Sequence, residues 1–289
     1  MSATLLTGLV TGLVDDAGLF PPERLEMAAA LARHADDAAA GSTVLTHRFL
    51  CPASRIREAL ALLVPGQRLD LAVVADTGVD GMGAVLTALR EDLRVRLVAV
   101  ELRWAPDDHG GGLDRLAALI PVGVRVWVEP GWEPGLPDRL AGLDRDLRAA
   151  GLTGGAKLRC GGVRQDLFPA AAELAAALSA CAGTGLAWKA TAGLHRAVRY
   201  TDPATGLRHH GFLNLLVAAG RATQRSDLAG ILAALETDDA AELVREARGW
   251  DGTTTRRARA AFVSYGSCST QEPLAELATL GLTATPADP

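Results

Sequence analysis

Short apolar runs of β-forming residues alternate with amphipathic stretches rich in Ala, Leu and Arg along almost the whole chain. The apolar runs predict eight strands, at 12–15, 43–48, 70–75, 95–101, 124–129, 155–160, 186–191 and 260–265. The stretches between them predict helices at about 22–37, 53–64, 82–92, 113–120, 134–150, 169–182, 211–223 and 270–280. The first seven strands recur about every 25 to 33 residues, which suits a strand, a crossover helix and two short loops.

Eight regular units favour a closed parallel (β/α) barrel, or TIM barrel, over an open doubly wound sheet. The chain has neither the glycine-rich turn of a dinucleotide fold nor the loop of a P-loop protein. Only the gap between strands seven and eight is long, and it holds a polar loop, helix seven and an additional helix at about 226–248. We therefore expect one barrel domain over 1–289, with 195–250 as an insertion at the barrel mouth, before strand eight.

Composition narrows the class of protein. Of the 289 residues 49% are hydrophobic and 22% are charged, which is typical of a globular chain with a large core. The net charge of −5 and the lack of any long apolar run argue against nucleic-acid and membrane partners. We expect a small-molecule substrate, and assembly into a homo-oligomer stays an open alternative. The four cysteines lack CxxC spacing and the first residues lack a basic signal segment, so we expect a cytoplasmic protein.

Arginine is far more frequent than lysine in this chain: only Lys157 and Lys189 are lysines, while 27 residues are arginines. Asn214 is the only asparagine, and together these biases indicate a gene rich in G and C, in which arginine replaces lysine wherever the two are interchangeable. Arginine cannot replace lysine where an amine must lose its proton. The two remaining lysines are therefore candidates for chemistry.

The chemistry of a (β/α) barrel lies at the carboxyl ends of its strands. Lys157 and Lys189 are 32 residues apart, one strand–helix unit, and fall at the same place on strands six and seven. Neighbouring strands bring the two ammonium groups together, and like charge with burial lowers the pKa of an amine. We therefore expect at least one lysine with a depressed pKa, suited to attack a carbonyl as a Schiff-base nucleophile. The alternative is a pair of cations that bind a phosphate or carboxylate.

The sequence Lys189-Ala-Thr-Ala-Gly193-Leu resembles the strand ends of deoxyribose-phosphate aldolase, and Lys157-Leu-Arg-Cys-Gly161 has the same K-x-x-x-G spacing. The resemblance covers residues 155–195 and implies a class I aldolase on a (β/α) barrel, with one lysine forming the imine and the other tuning it. The chain departs from that family at Arg159, where the family has a small hydroxyl residue. It also lacks a clear match to the strand-four aspartate, for which Glu101 or Glu129 is the available substitute.

The predicted function is thus an aldolase or related lyase that acts on a small, optionally phosphorylated carbonyl compound without a metal or cofactor. The residues assigned to catalysis are Lys157, Lys189, Arg159, Glu129 and His195. The residues assigned to substrate binding are Asp16, His47, Arg48, Asp76, Glu101, Thr191, Asn214, Ser267 and Ser269. Asp15 and Asp16 are adjacent, so only one of them reaches the mouth.

Several of these assignments have structural alternatives. Ser267 and Ser269 lie in the loop after strand eight, where barrels bind phosphate, or merely cap the last helix. Asn214 is a helix cap in the alternative interpretation. Two other functions stay open: a metal-dependent hydrolase or isomerase that uses Asp15, Asp16, His47, Asp76 and Glu101 as ligands, and a barrel that binds a small anion without catalysis.

Overall fold

The computed structural model describes residues 8–104 and 111–283 and shows a closed barrel of eight parallel strands. These strands are β1 (Val14–Asp16), β2 (Leu45–Pro52), β3 (Leu69–Val74), β4 (Val95–Arg103), β5 (Arg125–Glu129), β6 (Thr153–Arg159), β7 (Ala187–Thr191) and β10 (Phe262–Ser267). Each strand pairs with the next barrel strand along the chain, and β10 closes the barrel by pairing with both β7 and β1. The predicted TIM barrel is confirmed.

Seven helices each follow one of the barrel strands directly. They are α1 (Met27–Ala40), α2 (Ile56–Leu62), α3 (Gly78–Arg90), α4 (Gly111–Leu119), α5 (Leu136–Ala149), α6 (Ala171–Thr184) and, after β10, α11 (Gln271–Thr279). In α5 the leucines at 136, 140, 143 and 147 are buried, which is the helical spacing of a single face that packs on the strands.

The helix after β1 begins five residues later than the sequence predicts. Its expected start at 22 lies in a loop, which closes when the backbone N–H of Leu25 donates to Gly18 and that of Arg24 donates to Phe20. These bonds are not those of a helix that starts at Pro22, so the apolar periodicity of the segment takes effect only from Met27.

Four helices and a small hairpin lie between β7 and β10. The hairpin pairs β8 (Tyr200–Thr201) with β9 (Arg208–His209), and the helices are α7 (Phe212–Thr223), α8 (Leu228–Glu236), α9 (Ala240–Gly249) and α10 (Gly252–Ala261). The single extra helix predicted over 226–248 is wrong, because Asp239 accepts bonds from the backbone N–H groups of Ala241 and Glu242 and so starts a new helix. Helix α10, rich in Thr and Arg, was not predicted.

The helices of this segment belong to the outer layer of the barrel. Helix α8 packs against α6 and α7, and α10 packs against α7 and β10. Helix α7 is therefore enclosed, which explains why ten of its residues are buried and why no polar face is visible in its sequence. Of the predicted insertion over the mouth, the hairpin is the part beside the carboxyl ends, where His209 Nδ1 lies 3.0 Å from the Gly193 carbonyl oxygen.

One stretch of the described chain, Gln165–Thr184, matches a membrane span by length and composition alone. Its helical part, α6, buries Leu174, Leu178 and Cys181 in the core of the barrel. The apolar character of this stretch is thus accounted for by packing against the sheet and the neighbouring helices.

Candidate active site

Lys157 and Lys189 lie side by side inside the barrel. They are register partners on β6 and β7, as the sequence spacing predicts, and both are buried. The residues that alternate with them, Leu158, Trp188 and Ala190, pack in the main core between the sheet and the helices. The pleat of a strand therefore directs the lysines inward.

The carboxylate of Glu101 lies between the two ammonium groups. Glu101 is fully buried on β4, its Oε1 pairs with Lys189 Nζ, and its Oε2 lies 2.9 Å from Lys157 Nζ. Each lysine also contacts a second carboxylate: Lys189 Nζ lies 2.7 Å from Asp15 Oδ2 and Lys157 Nζ lies 3.0 Å from Glu129 Oε2. The lysines thus interact through shared anions instead of repelling each other directly.

Two arginines extend this arrangement at its ends. Arg48 Nε lies 3.3 Å from Asp15 Oδ1, and Arg159 Nε donates to Glu129 Oε1 at 2.8 Å. The result is a continuous row of alternating charges, here called the charge ladder. Its members in order are Arg48, Asp15, Lys189, Glu101, Lys157, Glu129 and Arg159.

The ladder holds its acids ionised. Burial raises the pKa of Asp15, but Lys189 and Arg48 lower it by more, to about 2. Burial likewise raises the pKa of Glu101 and of Glu129, and the neighbouring cations bring each below its ordinary value. These carboxylates are therefore anions at neutral pH.

The expected pKa depression is wrong for Lys157. Burial lowers the pKa of its ammonium group, but the carboxylates of Glu101 and Glu129 raise it by more, so that it lies above the ordinary value. The expectation rested on the neighbouring ammonium group and on burial, and it did not include the two acids that β4 and β5 bring to Lys157. In the resting protein Lys157 is consequently an ammonium ion.

The structure places Asp15 in the ladder and directs Asp16 to the other face of β1. Asp16 accepts from Arg33 at 2.6 Å and lies 3.0 Å from His34 Nδ1, both on α1. Asp15 instead accepts from Thr46 Oγ1 at 2.7 Å and Ser264 Oγ at 2.8 Å, two hydroxyls to which the sequence assigned no role. The choice of Asp16 as the residue at the mouth is therefore a misassignment of strand phase.

His47 and Arg48 do not lie at the carboxyl end of their strand. Strand β2 continues to Pro52, and Arg48 pairs with Asp70, the second residue of β3. Arg48 therefore occupies the amino-terminal part of the barrel, while His47 Nε2 lies 3.1 Å from the backbone oxygen of Ser42. The predicted strand ended at these polar residues, whereas the buried residues Phe49–Cys51 continue it.

Two other predicted binding residues have structural partners instead. Asp76 accepts from the backbone N–H of Ser54 at 3.0 Å and from its hydroxyl, and so ties the loop after β3 to the loop after β2. Asn214, fully buried in the first turn of α7, accepts from the Arg199 N–H and donates to the Ala234 and Thr237 carbonyl oxygens, each at 2.8 Å. These bonds use the amide oxygen and the amide nitrogen of Asn214 within the protein itself.

The loop after β10 combines a cap with a free hydroxyl. Ser269 Oγ accepts from the Glu272 N–H at 3.3 Å and so caps α11. Ser267 Oγ is buried and has no hydrogen-bond partner among the described residues. Ser269 is therefore engaged in capping the helix, whereas the Ser267 hydroxyl makes no hydrogen bond within the described chain.

His195 lies past β7 in a small polar cluster at the rim. Its Nδ1 is 4.0 Å from Cys268 Sγ, and its ring lies 5.8 Å from that of His209. Burial and the neighbouring His209 lower the pKa of His195, so it is neutral at physiological pH. Thr191, the last residue of β7, is partly exposed and is the register partner of Arg159 on β6.

The two K-x-x-x-G motifs meet where β6 and β7 leave the barrel. A Cβ at Gly161 would lie 2.8 Å from the Cα of Gly193, and the reverse approach is equally short. Gly193 also has a φ of +73°, which favours glycine. The spacing of both motifs is therefore explained by close backbone contact four residues beyond each lysine.

Within residues 8–104 and 111–283, no group of three or more His, Cys, Asp and Glu side chains converges as metal ligands would. Of the proposed ligand set, Asp15 and Glu101 both contact Lys189, whereas Asp16, His47 and Asp76 are directed elsewhere. No protein-family model matches the chain, and no curated protein matches it. The candidate site is thus defined by its own geometry.

Proposed function

We propose that this protein is a lyase of the class I aldolase type, which binds a small carbonyl compound as an imine on a buried lysine. The observation that carries the proposal is the pair of register-matched lysines that share the Glu101 carboxylate. TIM barrels are commonly enzymes, and charged groups inside a barrel cost too much free energy to serve as filler. In a chain that otherwise uses arginine, two buried lysines point to chemistry that needs a primary amine.

Lys157 is the proposed imine former. Its side chain is 8% exposed while that of Lys189 is 1% exposed, and only Lys157 is followed on its own strand by a charged residue of the ladder, Arg159. Lys189 lies between two acids, Asp15 and Glu101, and its role is to hold Glu101 in place. A substrate entering from the carboxyl ends of the strands therefore meets Lys157 first.

The amine must lose a proton before it attacks a carbonyl carbon. Glu101 Oε2 and Glu129 Oε2, at 2.9 and 3.0 Å from Lys157 Nζ, are the groups within reach of that proton. Transfer to a carboxylate would leave a neutral amine next to a neutral acid, which would then protonate the departing hydroxyl group as water forms. We assign Glu101 the place that the strand-four aspartate has in deoxyribose-phosphate aldolase, the family which the lysine motifs resemble.

Reductive trapping tests this proposal directly. Incubation with small aldehydes, ketones and their phosphate esters plus cyanoborohydride is expected to add one substrate-derived group per chain, located at Lys157 by peptide mass spectrometry. The variant Lys157→Arg keeps the charge but removes the usable amine, and it should give no adduct while retaining its circular dichroism spectrum. An adduct at Lys189 would exchange the two roles. Full wild-type activity in the Lys157→Arg, Lys189→Arg double variant would overturn imine chemistry.

The phosphorylated form of the substrate is a separate part of the proposal. It rests on the buried, unpartnered hydroxyl of Ser267 in the described structure, at the strand end where barrels bind phosphate. A preference for phosphorylated carbonyl compounds that is lost in Ser267→Ala would support it. The free, buried state of all four cysteines fits the reducing cytoplasm that we propose as the location.

A further inference from the structure

The charge ladder is unbalanced at the barrel mouth. It contains four cations and three carboxylates, and each lysine touches two of the carboxylates. Arg48, at the amino-terminal end, and Arg159, at the mouth, touch one carboxylate each among the described residues. The alternation of charges therefore stops at the mouth on a cation.

Arg159 is placed to bind a further anion. Glu129 accepts from its Nε, and in the described part of the chain its two terminal nitrogens donate no hydrogen bond to a carboxylate. The side chain is 35% exposed, unlike the buried lysines, and so is open to a ligand. A guanidinium group presents its terminal nitrogens as a planar fork that matches the two oxygens of a carboxylate.

We propose that Arg159 binds the carboxylate of the substrate, which is therefore a 2-oxo acid. This inference rests on the proposed imine at Lys157. Lys157 Nζ and Arg159 Nε are held by the two oxygens of one carboxylate, that of Glu129, so the guanidinium group lies beside the amine that would react with the carbonyl. In a 2-oxo acid the carboxylate is bonded to the carbonyl carbon, whereas a phosphate ester adds at least a carbon and an oxygen between them.

The test compares two probes with the same carbon skeleton, pyruvate and its uncharged amide, pyruvamide. Lys157 Nζ bonds to the ketone carbon, the ketone oxygen leaves as water, and hydride from cyanoborohydride reduces the C=N bond to a secondary amine. The variants are Arg159→Gln and, as a control, Arg164→Gln, an exposed arginine paired with Asp166 in the loop after β6. The adduct is followed by intact mass.

Pyruvate is expected to be trapped about tenfold to a hundredfold faster than pyruvamide, the effect of one charge-assisted pair of hydrogen bonds. The ratio should fall towards one in Arg159→Gln and stay unchanged in Arg164→Gln. Because the ratio is taken within each variant, a change in Lys157 reactivity common to both probes cancels. Equal rates in the wild type, or a preference that survives in Arg159→Gln, would overturn the carboxylate site and leave the imine proposal standing.

Two further arms separate the possible failures. If glyceraldehyde 3-phosphate is trapped in preference to both probes and Arg159→Gln removes that preference, the anion is a phosphate and the 2-oxo acid is wrong. If no carbonyl compound is trapped at all, the proposed function fails. Calorimetry with lactate and lactamide, which have no ketone, then tests the carboxylate site at Arg159 independently of imine formation. Binding of lactate that is lost in Arg159→Gln but kept in Arg164→Gln supports the site, and no binding to the wild type overturns it.

Discussion

At the scale of single residues, the charge ladder determines what Lys157 can do. A buried amine with no partner would be neutral and nucleophilic, whereas Glu101 and Glu129 keep this one protonated. The protein thus stores its nucleophile as an ammonium ion, and its reactivity depends on a proton transfer to a neighbouring acid. Removing one of these acids should make the amine easier to deprotonate.

We expect Glu129→Gln to lower the pKa of Lys157, because one of the two carboxylates that raise it loses its charge. The chain has only two lysines, so selective ¹³C,¹⁵N-lysine labelling gives two side-chain signals whose titration is followed by NMR. The trapping rate at pH 8 should rise by roughly tenfold for each unit by which the pKa falls.

Glu133→Gln is the matched control, since Glu133 is about half exposed in the loop after β5 and lies 3.9 Å from Arg139. A Lys157 midpoint that stays in place or moves to higher pH in Glu129→Gln would contradict this account.

Residue identity in the sequence was informative about the lysines and about two of the acids, but it did not show which acid contacts which lysine. Lys157 and Lys189 stand out because arginine replaces lysine everywhere else, and their spacing matches one strand–helix unit. Asp15 and Asp16 differ only in strand phase, and the preceding Leu13 and Val14 are both fully buried, so no alternation reveals that phase. Glu101 and Asp15 come from strands that do not pair with those of the lysines they contact, so their positions depend on the closed barrel.

At the scale of elements, strand and helix order were predictable because the hydrophobic periodicity repeats with each unit. Boundaries failed where polar residues continue an element, as at Thr46–Arg48 in β2, or where a capping aspartate divides one, as at Asp239. Asn214 is a residue that stands out in the sequence for a structural reason. Its retention as the only asparagine reflects an amide that joins three elements of backbone, not a substrate contact.

Replacing Asn214 with Asp should therefore destabilise the protein without altering the chemistry. A carboxylate cannot donate to the Ala234 and Thr237 carbonyl oxygens, and the unmet hydrogen bonds are expected to reduce the free energy of unfolding by about 2 to 4 kcal/mol. Urea unfolding measures the loss, and Gln224→Ala, at the exposed end of α7, is the control. If the folded Asn214→Asp protein lost imine trapping while keeping wild-type stability, a role in the site would replace the structural one.

At the scale of the whole molecule, the charge ladder runs through the barrel from Arg48 near the amino-terminal end to Arg159 at the mouth. It joins β1, β2, β4, β5, β6 and β7 through side chains, where most barrels pack apolar residues. A smaller buried apolar cluster, separate from the main core, consists of Ala17, Leu50, Ala72, Ala99 and Trp127. The stability of the barrel is consequently tied to the ionisation of its interior.

This coupling predicts a stability plateau bounded by acid and by alkali. Asp15, whose pKa falls from 3.8 to about 2 on folding, stabilises the protein fully above pH 3.8 and loses that contribution, about 2 kcal/mol, as the pH falls towards 2. Lys157 has a raised pKa, so its contribution is complete below its ordinary value of 10.5 and is lost as the pH rises through the folded value.

The free energy of unfolding in urea, measured from pH 2 to pH 11 for the wild type and Asp15→Asn, tests the acid limb of this plateau. The variant should be the less stable protein at pH 7, because it leaves Lys189 and Arg48 with fewer partners. The difference between the two proteins should shrink by about 2 kcal/mol between pH 5 and pH 2, since the wild-type Asp15 becomes neutral there as well. The control Asp80→Asn changes an aspartate whose side chain is 86% exposed, and its free energy of unfolding at pH 7 should stay close to that of the wild type. A constant difference between the wild type and Asp15→Asn across the acid limb would show that Asp15 does not couple folding to pH, and that the interior ion pairs do not govern stability as the ladder implies.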